Sequence, residues 1–403
     1  GKLYDALLKQ YNSPASEAEL KSLNMLCVRL VFCLYAEDAG IFGGHSMFHD
    51  FLKKKADKDI GSVRKALKEL FLVLDQKPED RDPYEMDEDL AAFPYVDGGL
   101  FANEKIIIPR FTQEIVDLLL SKASENFNWS SISPTIFGAV FESTLNPETR
   151  RSGGMHYTSI ENIHKVIDPL FFDDLSAELE EIAAIAVKKT RDKKLLDFQK
   201  KLANLTFLDP ACGSGNFLTE TYLSLRRLEN KAVGLRLGDQ IILGDSADFN
   251  PIQVSIGQFY GIEINDFAVT VAKTALWIAE SQMMKETEDV IHMRLDFLPL
   301  KSYTNIVEGN ALRMDWNEVV PAEELSYIMG NPPFVGARMM EQGGEQKRDV
   351  ENIFGKIKDV QDLDYVCCWY KKAAEMIQNT SVKVAFVSTN SICQGAQVPI
   401  LWN

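Results

Sequence analysis

The stretch from Leu205 to Leu218, LTFLDPACGSGNFL, has the residue types and spacing to hold a small anion. Leu205, Phe207 and Leu208 form a short apolar run suited to a buried strand, and Asp209-Pro210 ends it. Gly213 and Gly215 supply the backbone freedom for a tight strand-to-helix turn. The open N–H groups at the start of the next helix then face whatever anion lies above the turn. Gly-Ser-Gly fits neither the Gly-x-Gly-x-x-Gly dinucleotide fingerprint nor the Gly-x-x-x-x-Gly-Lys phosphate loop. A phosphate cradle is therefore disfavoured, and a smaller anion, such as the carboxylate of an amino-acid moiety, suits the geometry. The plainer alternative is a turn that only lets the helix pack.

DPACGSGNF resembles the first motif of the amino-methylating class I S-adenosylmethionine-dependent DNA methyltransferases, and more of that family's elements follow in its order. Phe259 to Glu263 (FYGIE) is a strand ending in an acid, followed by the helical run NDFAVTVAKTALWIAE. NIVEGNAL at Asn305 to Leu312 and YIMGNPPF at Tyr327 to Phe334 come next.

The resemblance implies a Rossmann-like α/β fold with S-adenosylmethionine as cofactor, held at the glycine loop by Asp209, Ala211, Gly213, Gly215, Asn216 and Phe217. Glu263 stands where a carboxylate accepts both ribose hydroxyls of an adenosyl group, the alternative being a helix N-terminal acid before Asn265. Ile264 is expected to pack on the adenine ring, and Asn310, with Ala311 beside it, to reach the exocyclic amine. The family usually has Asp at the Asn310 position; the change keeps an acceptor and drops the charge. RRSGGMHYTSIENI, Arg150 to Ile163, resembles the methionine-contacting Gly-x-x-Tyr-Thr-Pro motif with Ser159 in place of proline, which makes Tyr157 and Thr158 cofactor contacts. His156 in the same loop reads as a structural hydrogen-bonder.

Asn331-Pro332-Pro333-Phe334 is the most specific motif in the chain, and the resemblance makes it the catalytic loop. An adenine N6 lone pair is delocalised into the ring and is a poor nucleophile until pulled out of conjugation. The Asn331 side-chain oxygen and the Pro332 carbonyl can each accept one amine hydrogen and steer the nitrogen toward tetrahedral geometry. Pro332 and Pro333 stiffen the loop that presents them. Phe334 offers the target base a face worth roughly 1–3 kcal/mol in stacking, the alternative being a core side chain. Reaching this pocket requires the base to leave the duplex. The chemistry needs neither a metal nor a covalent cysteine, so Cys212 reads as a small packed side chain.

These residues need a scaffold, and the chain of 403 residues is long enough for two or three domains with a sizeable core. Five strands are expected, around Phe207, Ile262, Ile306, Ile328 and Val384, of the seven in the family's sheet. The expected sheet is thus incomplete, and residues 129–403 read as a methyltransferase catalytic domain cut before the domain that recognises the DNA target. Residues 1–128 resemble the helical connector of the MmeI-like fused restriction–modification enzymes (type IIL), which joins an upstream nuclease to the methyltransferase. A capping box at Ser16 to Glu19 opens a helix reaching about Glu37, with further helices at His45 to Ala56 and Ser62 to Asp75. Pro78 to Leu90 reads as a solvated acidic loop, and Phe93 to Phe101 as an aromatic loop packing on a neighbouring helix. Ser133-Pro134 starts a helix with Ile136, Phe137, Val140 and Phe141 on its apolar face. Asp173 to Lys201 reads as one long charged helix, Asn230 to Ser255 as a polar excursion with a turn at Gly244-Asp245, and Val335 to Val360 as a mobile loop over the target base. A helix from about Asp362 to Gln378 brings Asp364 and Tyr365 near the cofactor by resemblance, with Trp369 as core.

The net charge of −16 is a poor basis for contacting nucleic acid, so duplex DNA would be met through a local surface or through a recognition domain outside this chain. Six cysteines without a Cys-x-x-Cys pair suit a reduced, cytoplasmic protein, and the longest apolar run, Met25 to Ala36, is too short to span a membrane. The reading is an N6-adenine DNA methyltransferase of a restriction–modification or related defence system. The alternatives are N4-cytosine methylation, whose enzymes more often have Ser in place of Asn331, a non-catalytic S-adenosylmethionine-sensing subunit that regulates a nuclease, and an RNA or protein methyltransferase.

Overall fold

The apolar runs around Phe207, Ile262, Ile306, Ile328 and Val384 pair into one parallel sheet of five strands in the order β3-β2-β1-β4-β5. The strands are β1 (Phe207–Asp209), β2 (Phe259–Glu263), β3 (Asn305–Glu308), β4 (Tyr327–Gly330) and β5 (Lys383–Phe386). The computed structural model describes residues 2–402 apart from 45, 83, 85, 97–98, 103–105, 139–157, 239–250, 296–303 and 356. The chain divides into two compact units, one running to Ser133 and the other formed by Pro134–Arg294 with the segment from Thr304 onward.

In the second unit both faces of the sheet are covered, as a parallel sheet requires. Phe207 is in register with Phe259 on one side and Tyr327 on the other, and the three rings stack across the strands at centroid distances of 5.2 and 5.4 Å. Phe171 packs edge-on to Phe207, and Tyr222 to Phe259. The alternating positions Leu208, Ile262 and Ile328 point the other way, into a core with Trp316, Val366, Cys367 and Trp369. The helix after the glycine loop, Asn216–Leu237, packs against the helix after β2, Asp266–Ile291. A buried Arg226–Glu229 ion pair strengthens that contact. Arg226 Nη2 donates to Thr287 Oγ1 at 2.7 Å, and Glu229 accepts the Gln253 N–H at 2.7 Å where the chain approaches β2.

Several elements differ from the sequence-based expectation. Residues 173–201 are not one helix: Asp173–Ala183 and Lys188–Ala203 are separate. Leu175, Leu179 and Ile182 are buried on the first, and Leu195, Phe198 and Leu202 on the second. At about 100° per residue, Leu175 and Leu195 on one straight helix would lie about 200° apart, so the chain must turn for both stripes to be buried. The glycine-loop helix runs to Leu237, past the expected start of the polar excursion at Asn230, because Leu228, Ala232 and Val233 are buried. Gly244-Asp245 lies outside the described residues. The insertion expected as a loop holds a helix, Glu345–Phe354, whose buried Val350 and Phe354 seat it on the helix Cys367–Met376. That second helix begins later than expected, at Cys367 after a 3-10 turn at Val360–Asp362. Residues 134–138 are helical with Phe137 buried, but Ile136 is exposed; Val140 and Phe141 lie outside the described residues.

The first unit is helical among its described residues. Ser16 and Glu19 form the expected capping box at the start of Glu17–Asp38. Arg29 of that helix is buried; its Nε donates to the Leu100 carbonyl at 2.8 Å and its guanidinium lies over Phe71 and Phe101. Phe93 meets Phe42 and Phe51 edge-on, so the aromatic loop is a packing element, as expected.

The glycine loop carries a tight backbone constraint. Gly215 has φ +81, and a Cβ there would lie 2.9 Å from the Ala272 Cβ. Gly215→Ala should lower the unfolding free energy by about 1–3 kcal/mol. Adding Ala272→Gly should recover part of that loss, although Ala272→Gly alone costs about 1 kcal/mol. Urea denaturation of the two single variants and the pair measures the coupling; losses that merely add would show that the close approach to Ala272 does not limit this position.

Candidate active site

Strand order reverses direction between β1 and β4, and in such sheets ligands bind in the crevice at the carboxyl ends beside that reversal. The glycine loop follows β1 and the Asn-Pro-Pro-Phe loop follows β4, so pairing of these two neighbouring strands brings the loops together. A cavity of about 750 Å³ opens there.

Its floor is built by backbone and carboxylates. Glu263, 7 % exposed at the end of β2, accepts the Gly213 N–H through Oε2 and the Asn265 N–H through Oε1, both at 2.9 Å. The Cys212 N–H donates to the Ile262 carbonyl and the Gly309 N–H to the Glu263 carbonyl, which fixes the loops after β1 and β3 against β2. Asp209, 1 % exposed, accepts the Ala211 N–H at 3.0 Å. A Cβ at Gly330, φ +154, would fall 2.3 Å from Asp209 Oδ1, so only glycine can precede Asn331 here.

Twelve of the residues singled out in the sequence line this cavity: Thr158; Asp209, Ala211, Gly213, Asn216 and Phe217; Glu263 and Ile264; Asn310 and Ala311; Asn331 and Pro333. Gly215 shapes the turn without lining the wall. Pro332 and Phe334 also stand off it, and Phe334 is partly buried against the core that contains Leu208, Ile262 and Ile328. Tyr157 and His156 lie outside the described residues. Ile264 is 63 % exposed at the cavity wall and presents an open aliphatic face. Asn310 Oδ1 already accepts the Leu312 N–H at 2.9 Å, leaving one lone-pair position on that oxygen. Asn331 donates from Nδ2 to Thr158 Oγ1 at 2.9 Å, while its Oδ1 is buried with no hydrogen-bond partner among the described residues.

The segment expected as a loop over the target base supplies one wall, through Met339, Glu341, Gly344, Glu345, Gln346 and Asp349, which the sequence reading did not single out. Its signal is the i, i+4 pair Val350 and Phe354, which marks a packed helix. Asp349 is buried, takes the Arg313 Nε–H and the Tyr365 hydroxyl at 2.9 Å each, and so anchors that wall. Tyr365 lines the cavity as the resemblance implies, and Asp364 does not. Trp369, expected as core, lines it too and donates from Nε1 to the Pro210 carbonyl at 3.1 Å.

Burial pushes the Asp209 carboxyl up to about 8; the Ala211 N–H opposes the shift and the Glu263 charge adds to it. Burial also raises the Cys212 thiol, with the two carboxylates adding, so the thiol stays protonated and unreactive. Because the folded Asp209 pKa lies above the unfolded value, its contribution to stability is full below about pH 4 and is lost as pH rises through 8. Asp209→Asn should remove a pH dependence of at most about 1.4 kcal/mol per pH unit. Melting curves of both proteins from pH 5 to 9 test this, and parallel trends would mean that Asp209 is ionised throughout.

The chain is similar to several known proteins. The family described as "MmeI, DNA-methyltransferase domain" matches residues 185–403, and "MmeI, helicase spacer domain" matches residues 21–101. DNA methyltransferase A of Bacillus subtilis (strain 168) is 40 % identical over 405 residues, covering 100 % of this chain and 44 % of its own length. A Methanocaldococcus jannaschii protein named as a type II restriction enzyme and methyltransferase is 27 % identical, covering 78 % of this chain and 29 % of its own length. The solved structure of the type IIL restriction–modification enzyme MmeI in complex with DNA superposes with a TM-score of 0.87 at 42 % identity, covering 100 % of this chain and 51 % of that one. The chain therefore spans about half or less of the length of these relatives. With the methyltransferase match extending over more than half of its residues, the chain belongs to the MmeI DNA-methyltransferase family.

Proposed function

We propose that this chain carries the catalytic site of an enzyme that transfers a methyl group from S-adenosylmethionine to N6 of a flipped adenine in duplex DNA. The observation that carries the reading is the buried Asn331 Oδ1, without a partner among the described residues, on a cavity wall shared with the glycine loop. An orphaned acceptor is costly unless a ligand supplies the donor, and an exocyclic amine is such a donor.

The residues present fit the cofactor. Glu263 is a buried acid that lines the cavity at the end of β2, where a carboxylate can accept from a vicinal diol. Ile264 offers an adenine ring its exposed face, Asn310 keeps an acceptor for the ring amine, and the Ala311 N–H lies next to it. The start of the Asn216–Leu237 helix directs N–H groups toward an amino-acid carboxylate. The volume lies within the usual range for small-molecule sites, about 300–1,000 Å³.

When bound, S-adenosylmethionine supplies an electrophilic methyl group on a positively charged sulfur. Asn331 Oδ1 would accept one amine hydrogen of the target, which draws the nitrogen lone pair out of conjugation. The prolines hold that geometry in advance. Asp209, neutral near pH 7, would lose its proton more readily beside a cationic ligand. We further propose that the N-terminal helical unit serves as a spacer, with DNA recognition and any nuclease supplied by other parts of the protein.

The test is to incubate the protein with tritiated S-adenosylmethionine and unmethylated DNA, digest, and identify the labelled nucleoside. N6-methyl-2′-deoxyadenosine is expected; N4-methyl-2′-deoxycytidine would transfer the reading to cytosine, and cofactor binding without transfer would favour a sensor. Asn331→Ala should abolish transfer while calorimetric cofactor affinity stays nearly unchanged. Glu263→Ala should weaken cofactor binding by up to about 3 kcal/mol, the scale of charge-assisted hydrogen bonds. Unchanged affinity in that variant would remove Glu263 from the cofactor site.

A further inference from the structure

A carboxamide has two ends of similar size and opposite hydrogen-bonding character, so a neighbour must fix which end faces a ligand. For Asn331 that neighbour is Thr158, whose Oγ1 accepts the Nδ2 hydrogen at 2.9 Å. Both residues line the cavity, and Thr158 is buried. With the donor end engaged, the acceptor end is the one left without a partner among the described residues.

The backbone that carries this hydroxyl is itself held in place. Thr158 precedes Ser159, the N-cap of the helix Ile160–Ile167, which accepts the Asn162 N–H. Ile163 and Ile167 of that helix are buried. His164 lies 2.7 Å from Asp168 and 3.3 Å from Glu220, and Glu220 belongs to the helix that starts at the glycine loop. The segment that presents Thr158 is thus tied to the same scaffold that shapes the cofactor side.

We infer that Thr158 is a positioning residue for the amine acceptor, holding the Asn331 amide with its oxygen available to the target base. The inference rests on the amine-methylation reading. It assigns Thr158 to the target side of the cavity, through Asn331, in place of the cofactor contact that the sequence resemblance implies. Without the hydroxyl the Nδ2 end has no partner among the described residues, and nothing there holds the Oδ1 end toward the target amine.

The test compares wild type, Thr158→Val and Thr158→Ser at the protein's natural length. One measurement is calorimetric affinity for S-adenosylhomocysteine; the other is the single-turnover rate of tritium transfer to unmethylated DNA at saturating cofactor. Thr158→Val should slow transfer by about tenfold or more, equivalent to about 1.4 kcal/mol, with affinity for S-adenosylhomocysteine unchanged. Thr158→Ser, which keeps the hydroxyl, should retain near wild-type transfer. Thr158→Ala removes the hydroxyl without filling its space and gives the same reading should the valine methyl not fit. A Thr158→Val variant at full rate, or one whose affinity for S-adenosylhomocysteine falls in step with its rate, overturns the inference while the functional reading stands. A wild type that binds S-adenosylhomocysteine but transfers nothing to DNA overturns the functional reading and the inference with it.

Discussion

One carboxylate holds the site together. Glu263 accepts N–H groups from the loop after β1 and from the turn after β2, and its own carbonyl takes the Gly309 N–H of the loop after β3. Charge-assisted bonds of this kind are roughly twice as strong as neutral ones. The same carboxylate lines the cavity, so one side chain both fixes the scaffold and forms part of the wall. The arrangement has an electrostatic cost, because Asp209 is buried nearby. With burial as the larger cause and the Glu263 charge as a smaller one, the Asp209 carboxyl is pushed up to about 8.

The sheet explains why residues so distant in sequence meet. Parallel strands all present their carboxyl ends at one edge, and the direction of crossover reverses between β1 and β4. A ligand crevice follows from topology before any side chain is considered. Side chains then make it stable: Phe207, Phe259 and Tyr327 stack on one face, while Leu208, Ile262 and Ile328 enter the core on the other. The strands are only three to five residues long, so this packing on both faces carries much of their stability.

What was legible in the sequence had a local cause. Gly213 and Gly215 were readable because positive φ values at a strand-to-helix turn demand glycine, and the structure gives them φ +54 and +81. All five strands were readable from short apolar runs bounded by turn residues. The break between Asp173–Ala183 and Lys188–Ala203 was not, because charge along both segments hid that their apolar stripes face different ways. The wall from Met339 to Asp349 was likewise hidden: Asp349 looks like a surface acid until Arg313 and Tyr365, each remote in sequence, arrive to pair with it. The Leu312 N–H bond to Asn310 belongs to the same class of tertiary detail.

Three residues that break local rules meet at this one cavity. Asn331 Oδ1 is buried without a partner among the described residues, Asp209 retains a proton far above the ordinary carboxylate range, and Gly330 adopts φ +154 against the Asp209 side chain. An unpaired buried acceptor alone costs on the order of 1–3 kcal/mol, so surrounding packing must over-determine each of these features. The stacked aromatic face and the Trp316–Trp369 core provide that support at the roots of β1 and β4, directly beneath the two loops. Such a concentration is what a preorganised site requires. The unfavourable polar geometry is set during folding, so a ligand that supplies an amine donor and a cation relieves it on binding without first having to create it.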